Sequence, residues 1–140
     1  MPQNILEKFE GVWRQKHVHA TTQTYINERE MRMTMNVLEK AVQAKIVKAI
    51  TKKYGADAWL YKVHGGPYAR SGVPDLLLCV HGRFIALEVK RPSSGRVSKL
   101  QEIETKKINA AGGMALVVTS ADDALDWIEC ALRTTGYVAT

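Results

Sequence analysis

The sequence is poor in cysteine and has no long apolar run. Cys79 and Cys130 are its two cysteines, and neither has a C-x-x-C partner or a histidine at zinc-ligand spacing. No segment approaches the ~20 apolar residues that span a bilayer, and the N-terminus lacks the apolar core of a signal peptide. These absences argue against a disulfide framework, a zinc site and a membrane partner. We therefore expect a cytoplasmic protein with reduced, buried thiols.

Acidic residues are also in the minority. The 140 residues include 14 Asp and Glu against 20 Lys and Arg, which gives a formal net charge of +6. Clustered basic residues attract phosphate, so this balance favours a polyanionic partner. The length suits one small domain. We assign that domain to residues 34–133, with residues 1–33 as an N-terminal appendage that lacks sustained periodicity and residues 134–140 as a C-terminal tail.

Apolar periodicity predicts an α/β fold with the element order α-β-β-β-α-β-α. The first helix begins at Asn36 and ends near Tyr54, before Gly55. Ser98 is the expected N-cap of the second helix, and the last helix opens at Ser120 or Asp122. The expected elements are helices at residues 36–54, 99–111 and 120–133 and strands at residues 59–63, 75–80, 83–90 and 114–119.

Two of the expected strands carry charged residues inside apolar runs. His81-Gly82 has the length of a two-residue hairpin turn, and counting outward from it places Asp75 directly opposite Glu88. Such a pair has its Cβ atoms roughly 4.5–5.5 Å apart on one face of the sheet, where like charges repel. Lys90 falls on the same face because strand side chains alternate.

A divalent cation would remove the repulsion between these acids. The strands are otherwise apolar on both faces, so an uncompensated carboxylate pair would be costly or would share a proton. Mg²⁺ takes oxygen ligands, which Asp75, Glu88 and the Val89 carbonyl supply together with water and phosphate oxygens. Lys90 beside the ion can orient a water or offset charge on a phosphate. The alternative is a structural Glu88–Lys90 ion pair, but the separation of Pro74-Asp75 from Glu-x-Lys favours the metal.

Pro74-Asp75 followed by Glu88-Val89-Lys90 resembles the PD-(D/E)xK nuclease signature. From Val37 to Ile128 the chain resembles the VRR-NUC family, especially its small stand-alone members of phage and bacterial type. The segments that carry the resemblance are EKAVQAKIVKAI, SGVPDLLL, FIALEVKRP and SGRVSKLQEIETKKINAAGG. The resemblance implies a restriction-endonuclease-like α/β fold, with a mixed central sheet flanked by helices, and metal-dependent phosphodiester cleavage.

The resemblance also implies roles for single residues. Asp75 and Glu88 would be metal ligands with the Val89 carbonyl as a third, and Lys90 would be the catalytic lysine. Glu39 corresponds to the acid of the family's first helix, which lies near the metal site. We therefore include Glu39 among the expected catalytic and metal-binding residues.

Two glutamines complete the set that the resemblance implies. Gln43 corresponds to a polar residue one turn after Glu39, and Gln101 to a glutamine that faces the same site. Each assignment has an alternative. Glu39 lies three residues after Asn36 and could form a capping box with it. Gln43 could belong to a solvated helix edge, and Gln101 is ordinary near a helix start.

Several other residues near the motif are candidates for binding DNA. Lysine and arginine contacts to phosphate supply most of the affinity that does not depend on sequence, although solvated surface charge is the commoner fate of any one of them. The candidates are Lys62, Arg70, Arg91, Arg96 and His64, the last with an incidental loop position as its alternative. Trp59 and Tyr68 could stack on a base, with core or loop packing as the alternative.

These observations predict an endonuclease of DNA that depends on Mg²⁺ or Mn²⁺ and attacks phosphorus with water. The small stand-alone relatives suggest branched or flap substrates, with Holliday junctions first. Symmetrical cutting of two strands with one site per chain would need a homodimer. The alternatives are a noncatalytic nucleic-acid-binding module of the same fold and a restriction-type endonuclease that cuts plain duplex.

Overall fold

The computed structural model describes residues 22–92 and 96–134. These described residues divide into two compact units, with the boundary between Leu38 and Glu39. The elements are helix α1 (Thr22–Tyr54), a single 3₁₀ turn (Gly55–Asp57), strands β1 (Ala58–Lys62), β2 (Leu76–Val80) and β3 (Arg83–Val89), helix α2 (Lys99–Ala110), strand β4 (Met114–Val118) and helix α3 (Ala121–Arg133). Within the described ranges, none of these helices combines the length and the apolar character needed to cross a membrane.

Helix α1 begins 14 residues before the expected start at Asn36. Asn36 is exposed in the middle of the helix, so the alternative of a capping box with Glu39 is wrong, because an N-cap needs the free N–H groups of a helix terminus. The early turns were missed because residues 22–35 have no apolar stripe that would give a period. The expected end at Tyr54 is confirmed, and Gly55 adopts the positive φ that suits it to this position.

The hairpin turn and its register are confirmed. His81 and Gly82 have φ values of 47° and 77°, both positive, as a type I′ turn requires. From that turn, Val80 pairs with Arg83, and the register continues without a bulge to Leu76 opposite Leu87. The next residues outward are Asp75, directly before β2, and Glu88 of β3.

The four strands form one mixed sheet in the order β1-β2-β3-β4. The β1–β2 and β2–β3 pairs are antiparallel, whereas β3 and β4 are parallel and are connected through α2. A parallel pair needs a crossover of this kind. The predicted mixed α/β sheet flanked by helices is therefore confirmed.

The two faces of the sheet differ in what covers them. One face, here called the core face, packs against Ile46 and Ile50 of α1 and against Ala124 and Ile128 of α3. The fully buried strand residues of this face are Leu76, Leu78, Val80, Ile85, Leu87, Val89 and Val118. The opposite face, here called the acidic face, carries the alternating residues of the same strands, among them Glu88.

The expectation of buried thiols is wrong, because both cysteines are free and exposed. Cys79 alternates with Leu78 and Val80 and so lies on the acidic face, which α1 and α3 do not cover. An apolar run predicts a strand, but it does not tell which of its two faces will be covered.

Candidate active site

Asp75 is held at the start of β2 by two hydrogen bonds. Its carbonyl oxygen accepts from the Val63 N–H at 2.8 Å, which ties it to the residue after β1. Its carboxylate Oδ2 accepts from the Val89 N–H, also at 2.8 Å. The carboxylate thus bridges to β3, beside the residue that follows Glu88.

Glu88 is a buried carboxylate with one hydrogen-bonded oxygen and one oxygen that has no partner among the described residues, here called the orphan oxygen. The residue is 5% exposed. Its Oε1 accepts a hydrogen bond from Gln101 Nε2 and lies 2.9 Å from Lys90 Nζ. Its Oε2 is buried and has no hydrogen-bond partner among the described residues. Buried polar atoms are nearly always partnered, so this oxygen marks a place where something is expected to bind.

The two carboxyls hold their protons more tightly than usual. Burial raises the pKa of Glu88 to about 7, with Lys90 opposing the rise and the Asp75 and Glu39 carboxylates adding to it. Burial also raises the pKa of Asp75, against the opposing effects of the Val89 N–H and the Lys90 and Lys62 charges. Acids in this state are stabilised by a cation that replaces the proton.

Lys90 lies between two acids. Its Nζ is 2.9 Å from Glu88 Oε1 and 3.9 Å from Glu39 Oε1, and its side chain is largely buried. Its backbone N–H donates to the Val118 carbonyl at 2.9 Å, so the end of β3 remains bonded to β4. The ammonium is therefore positioned both by its backbone and by its two ion pairs.

The donor set fits a hard divalent cation. Asp75 and Glu88 supply carboxylate oxygens, including the orphan Oε2. The Val89 N–H points to Asp75, and because the N–H and C=O of a strand residue point to the same side, its carbonyl points there too. Mg²⁺ is usually bound through one or two carboxylates and completes its shell with water and phosphate oxygens.

Within the described residues, no group of three or more His, Cys, Asp or Glu side chains is arranged to hold a metal ion. The carboxylate of Glu39 is instead paired with Lys90. Direct ligation by Glu39 stays a prediction, and its observed contact is with the lysine.

Gln101 makes contacts both at the start of α2 and with Glu88. Ser98 caps α2, and Gln101 completes the capping box, since its Oε1 accepts from the Ser98 N–H at 2.8 Å. Its Nε2 donates to Glu88. One side chain therefore ties the start of α2 to the buried carboxylate of β3.

Gln43 is buried on α1, one turn after Glu39, which is inconsistent with a solvated helix edge. No hydrogen bond links its side chain to the part of the chain that the structure describes. Its contribution to the site stays a prediction.

The candidate DNA-binding residues have different surroundings. Lys62 is exposed at the end of β1, close enough to Asp75 for its charge to lower the pKa of that carboxyl. His64 and Arg96 are exposed as well. Arg91 is only 9% exposed, and its Nη1 has no hydrogen-bond partner among the described residues. These positions leave Lys62, His64 and Arg96 accessible to a ligand.

Arg70 forms an ion pair that sequence reasoning missed. Its Nη2 lies 2.8 Å from both carboxylate oxygens of Glu104 on α2. The same loop touches α2 at Gly72, where φ is +82° and a Cβ would lie 2.5 Å from the Leu100 carbonyl oxygen. The Gly-x-Pro-Asp sequence before β2 is typical of a tight turn. No local pattern, however, predicts that Arg70 pairs with an acid 34 residues away.

Two solved structures with the same overall fold can be compared with this chain. One, a "VRR_NUC domain", is 26% identical, has a TM-score of 0.50, and the alignment covers 65% of this chain and 94% of that one. The other, a "VRR_NUC domain protein", is 15% identical with a TM-score of 0.57, covering 68% and 88%, and shows the fold alone. No family model and no curated protein matches the chain.

Proposed function

We propose that this chain, whose fold is that of the VRR-NUC domains it resembles, is a structure-selective DNA endonuclease that depends on Mg²⁺ or Mn²⁺. The observation that carries the proposal is the orphan Oε2 of buried Glu88, on the strand next to Asp75 and within reach of Lys90. Two acids with raised pKa values and an unused ligand oxygen favour a cation at this position.

Asp75, Glu88 and the Val89 carbonyl would hold the cation. When bound, it supplies an activated water and stabilises charge that develops on the phosphate. The protein groups keep that position fixed. The Val89 N–H holds Asp75 through one oxygen, and Gln101 and Lys90 hold Glu88 through Oε1, so that Oε2 would be the oxygen that binds the cation.

Lys90 would act on the reacting phosphate. Its ammonium donates hydrogen bonds to a water that attacks phosphorus in line, or to a phosphate oxygen as negative charge builds up there. Glu39 and Glu88 hold the ammonium in place through ion pairs. The reaction would be a direct hydrolysis, with no covalent bond between the enzyme and the DNA.

The proposed substrate is a branched or flap DNA, with a Holliday junction as the first candidate, bound by a homodimer. Lys62, His64 and Arg96 are the exposed groups assigned to the DNA backbone. Two symmetrical cuts need two sites. A molar mass equal to the monomer in light scattering at micromolar concentration would contradict the dimer.

Cleavage of labelled junction, flap and duplex DNA tests the function. The wild type should cut in Mg²⁺ or Mn²⁺ and not in EDTA. Asp75→Asn should bind the DNA and not cut it. Asp126→Asn is the matched control, because Asp126 is an exposed acid on α3, which packs on the core face.

Two results would replace the proposal with one of its alternatives. Binding without cleavage under every divalent ion would indicate a noncatalytic nucleic-acid-binding module. Cuts at fixed sequences in plain duplex would indicate a restriction-type enzyme.

A further inference from the structure

The acidic face carries a row of exposed aromatic side chains. Trp59 is 60% exposed, Tyr61 49% and Phe84 42%. Trp59 pairs with Cys79 and Cys79 with Phe84, so the three strands present these residues side by side on one face. We call Trp59, Tyr61 and Phe84 the aromatic strip. Its exposure excludes core packing as the role of Trp59.

The rings of the strip are ordered with respect to one another. The Trp59 and Tyr61 rings have their centroids 6.0 Å apart and their planes within 6° of parallel. The Phe84 ring borders the turn after α2, since a Cβ on Gly113 would come 2.9 Å from it. Side chains with only two χ angles that already stack lose little entropy when another flat ring binds.

The register links the strip to the carboxylates. Tyr61 pairs with Leu77, which is two residues from Asp75 in sequence. Trp59 pairs with Cys79, which is four residues from Asp75. At ~3.3 Å per strand residue, Tyr61 lies roughly 7 Å and Trp59 roughly 13 Å along the strand from Asp75. Stacked nucleotides repeat at about 3.4 Å along one strand, so these distances correspond to a few nucleotides.

Charge favours a nucleic acid over an apolar partner. The chain has a net charge of +6. Lys62, which follows Tyr61, pairs with Leu76 and so starts from the core face, but its charge is near enough to Asp75 to lower the pKa of that carboxyl, and His64 is exposed two residues later. Aromatic rings next to cations form the usual surface for single strands, because the rings stack on bases while the cations attract the backbone.

We infer that Trp59 and Tyr61 form a base-stacking platform for unpaired nucleotides next to the scissile phosphate. The inference deepens the proposed function and rests on it. It specifies a DNA substrate with a single-stranded segment at the cut, such as a flap or an open junction. The bases of an intact duplex are already stacked and paired, so they cannot reach the rings without being unstacked.

A second copy of the chain is the rival occupant. The exposed parts of the three rings amount to roughly 300 Å², given the 150–250 Å² that an aromatic side chain buries completely. A standard interface takes about 800 Å² from each partner. The strip is therefore too small to hold a stable dimer by itself.

Binding assays with matched DNAs test the platform. Fluorescence anisotropy in EDTA compares a duplex carrying a single-stranded tail with a blunt duplex of the same base pairs. Trp59→Ala with Tyr61→Ala should raise the Kd for the tailed DNA tenfold or more and that for the blunt duplex less than twofold. Trp59→Phe keeps a ring and should recover most of the affinity.

Trp127→Ala is the matched control, because Trp127 is an exposed tryptophan on α3, which packs against the core face. It should change neither Kd by more than twofold. A second measurement uses a protein with Trp13→Phe and Trp127→Phe, in which Trp59 is the remaining tryptophan. Its fluorescence should be quenched by tailed DNA and not by blunt duplex.

Two outcomes would overturn the platform. One is a double variant whose Kd changes equally, or not at all, for the tailed and the blunt DNA. The other is a double variant whose molar mass in light scattering is half that of the wild type, which would identify the strip as a dimer interface. Cleavage by the wild type in Mg²⁺ separates this result from the proposed function. If the wild type cuts DNA but Trp59→Ala with Tyr61→Ala binds both DNAs as tightly as the wild type does, the platform alone is overturned. Loss of tailed-DNA affinity in a protein that never cuts overturns the nuclease alone.

Discussion

The core face and the acidic face of the sheet differ in the polarity and burial of their side chains. On the core face every central residue is apolar and fully buried against α1 and α3. On the acidic face the same strands carry Asp75, a buried Glu88 with an orphan oxygen, and exposed aromatic rings. The first face is what stability requires, because burial of apolar area favours folding. The second keeps groups that make folding harder, which is expected where a protein binds or reacts.

The largest expected effect is on cleavage, from changes on the acidic face. Glu88→Gln and Lys90→Ala should each reduce DNA cleavage to background, because one removes a ligand oxygen and the other the ammonium beside the phosphate. DNA binding should stay within a few fold of wild type, since the exposed cations remain. Timed gel assays with labelled junction DNA and anisotropy measure the two quantities. Full activity of Lys90→Ala would disprove the role given to Lys90.

The next effect is on stability, from the core face. Leu87 is fully buried next to Glu88 in sequence, and Leu87→Ala should lower the free energy of unfolding by about 2–5 kcal/mol. Glu88→Gln, which removes a poorly solvated charge, should be neutral or stabilising at pH 8 in EDTA. Urea unfolding measures both. If Leu87→Ala does not fold, Ile85→Val should still cost about 0.5–1.5 kcal/mol. A larger loss from Glu88→Gln than from Leu87→Ala would contradict the contrast between the faces.

The pH dependence of stability should come from the acidic face. The pKa of Glu88 is raised to about 7 in the folded protein from an ordinary value of 4.5. As the pH rises the unfolded chain loses this proton first, so the folded state is destabilised between about pH 4.5 and 7. The loss for the metal-free protein is at most about 3 kcal/mol. Asp75, whose pKa is also raised, acts in the same direction.

Urea unfolding in EDTA from pH 5 to 8 measures this slope. Glu88→Gln should flatten most of it, and Mg²⁺ above pH 7 should restore stability to the wild type. A slope unchanged by Glu88→Gln would assign the titration to another group.

The smallest expected effect separates the two roles of Gln101. Gln101→Ala removes both the cap of α2 and the hydrogen bond to Glu88. It should reduce cleavage by about 10–100-fold, the usual consequence of losing a group that orients a metal ligand. Ser98→Ala is the matched control, because it removes the cap alone and should cost ~1 kcal/mol of stability while activity stays within a few fold. Equal losses of activity in both variants would make Gln101 a cap and nothing more.

Much of the fold followed from local patterns in the chain. The hairpin register is correct because His81-Gly82 is short enough to allow one pairing and because a one-residue slip would turn the apolar side chains outward. The start of α1 was missed for the opposite reason, since a helix whose early turns bury no apolar face leaves no period to read. Cys79 was misplaced because an apolar residue in a strand is equally compatible with either face.

The sequence by itself determined the strands, the tight turn and the juxtaposition of Asp75 with Glu88, because these depend on neighbours along one hairpin. Tertiary structure decided what surrounds them. The contact of Gln101 with Glu88, that of Glu39 with Lys90 and that of Arg70 with Glu104 each join segments at least 13 residues apart. Such contacts exist only after the helices pack on the sheet, and the same packing buries the core face while it leaves Trp59, Tyr61 and Phe84 of the acidic face exposed.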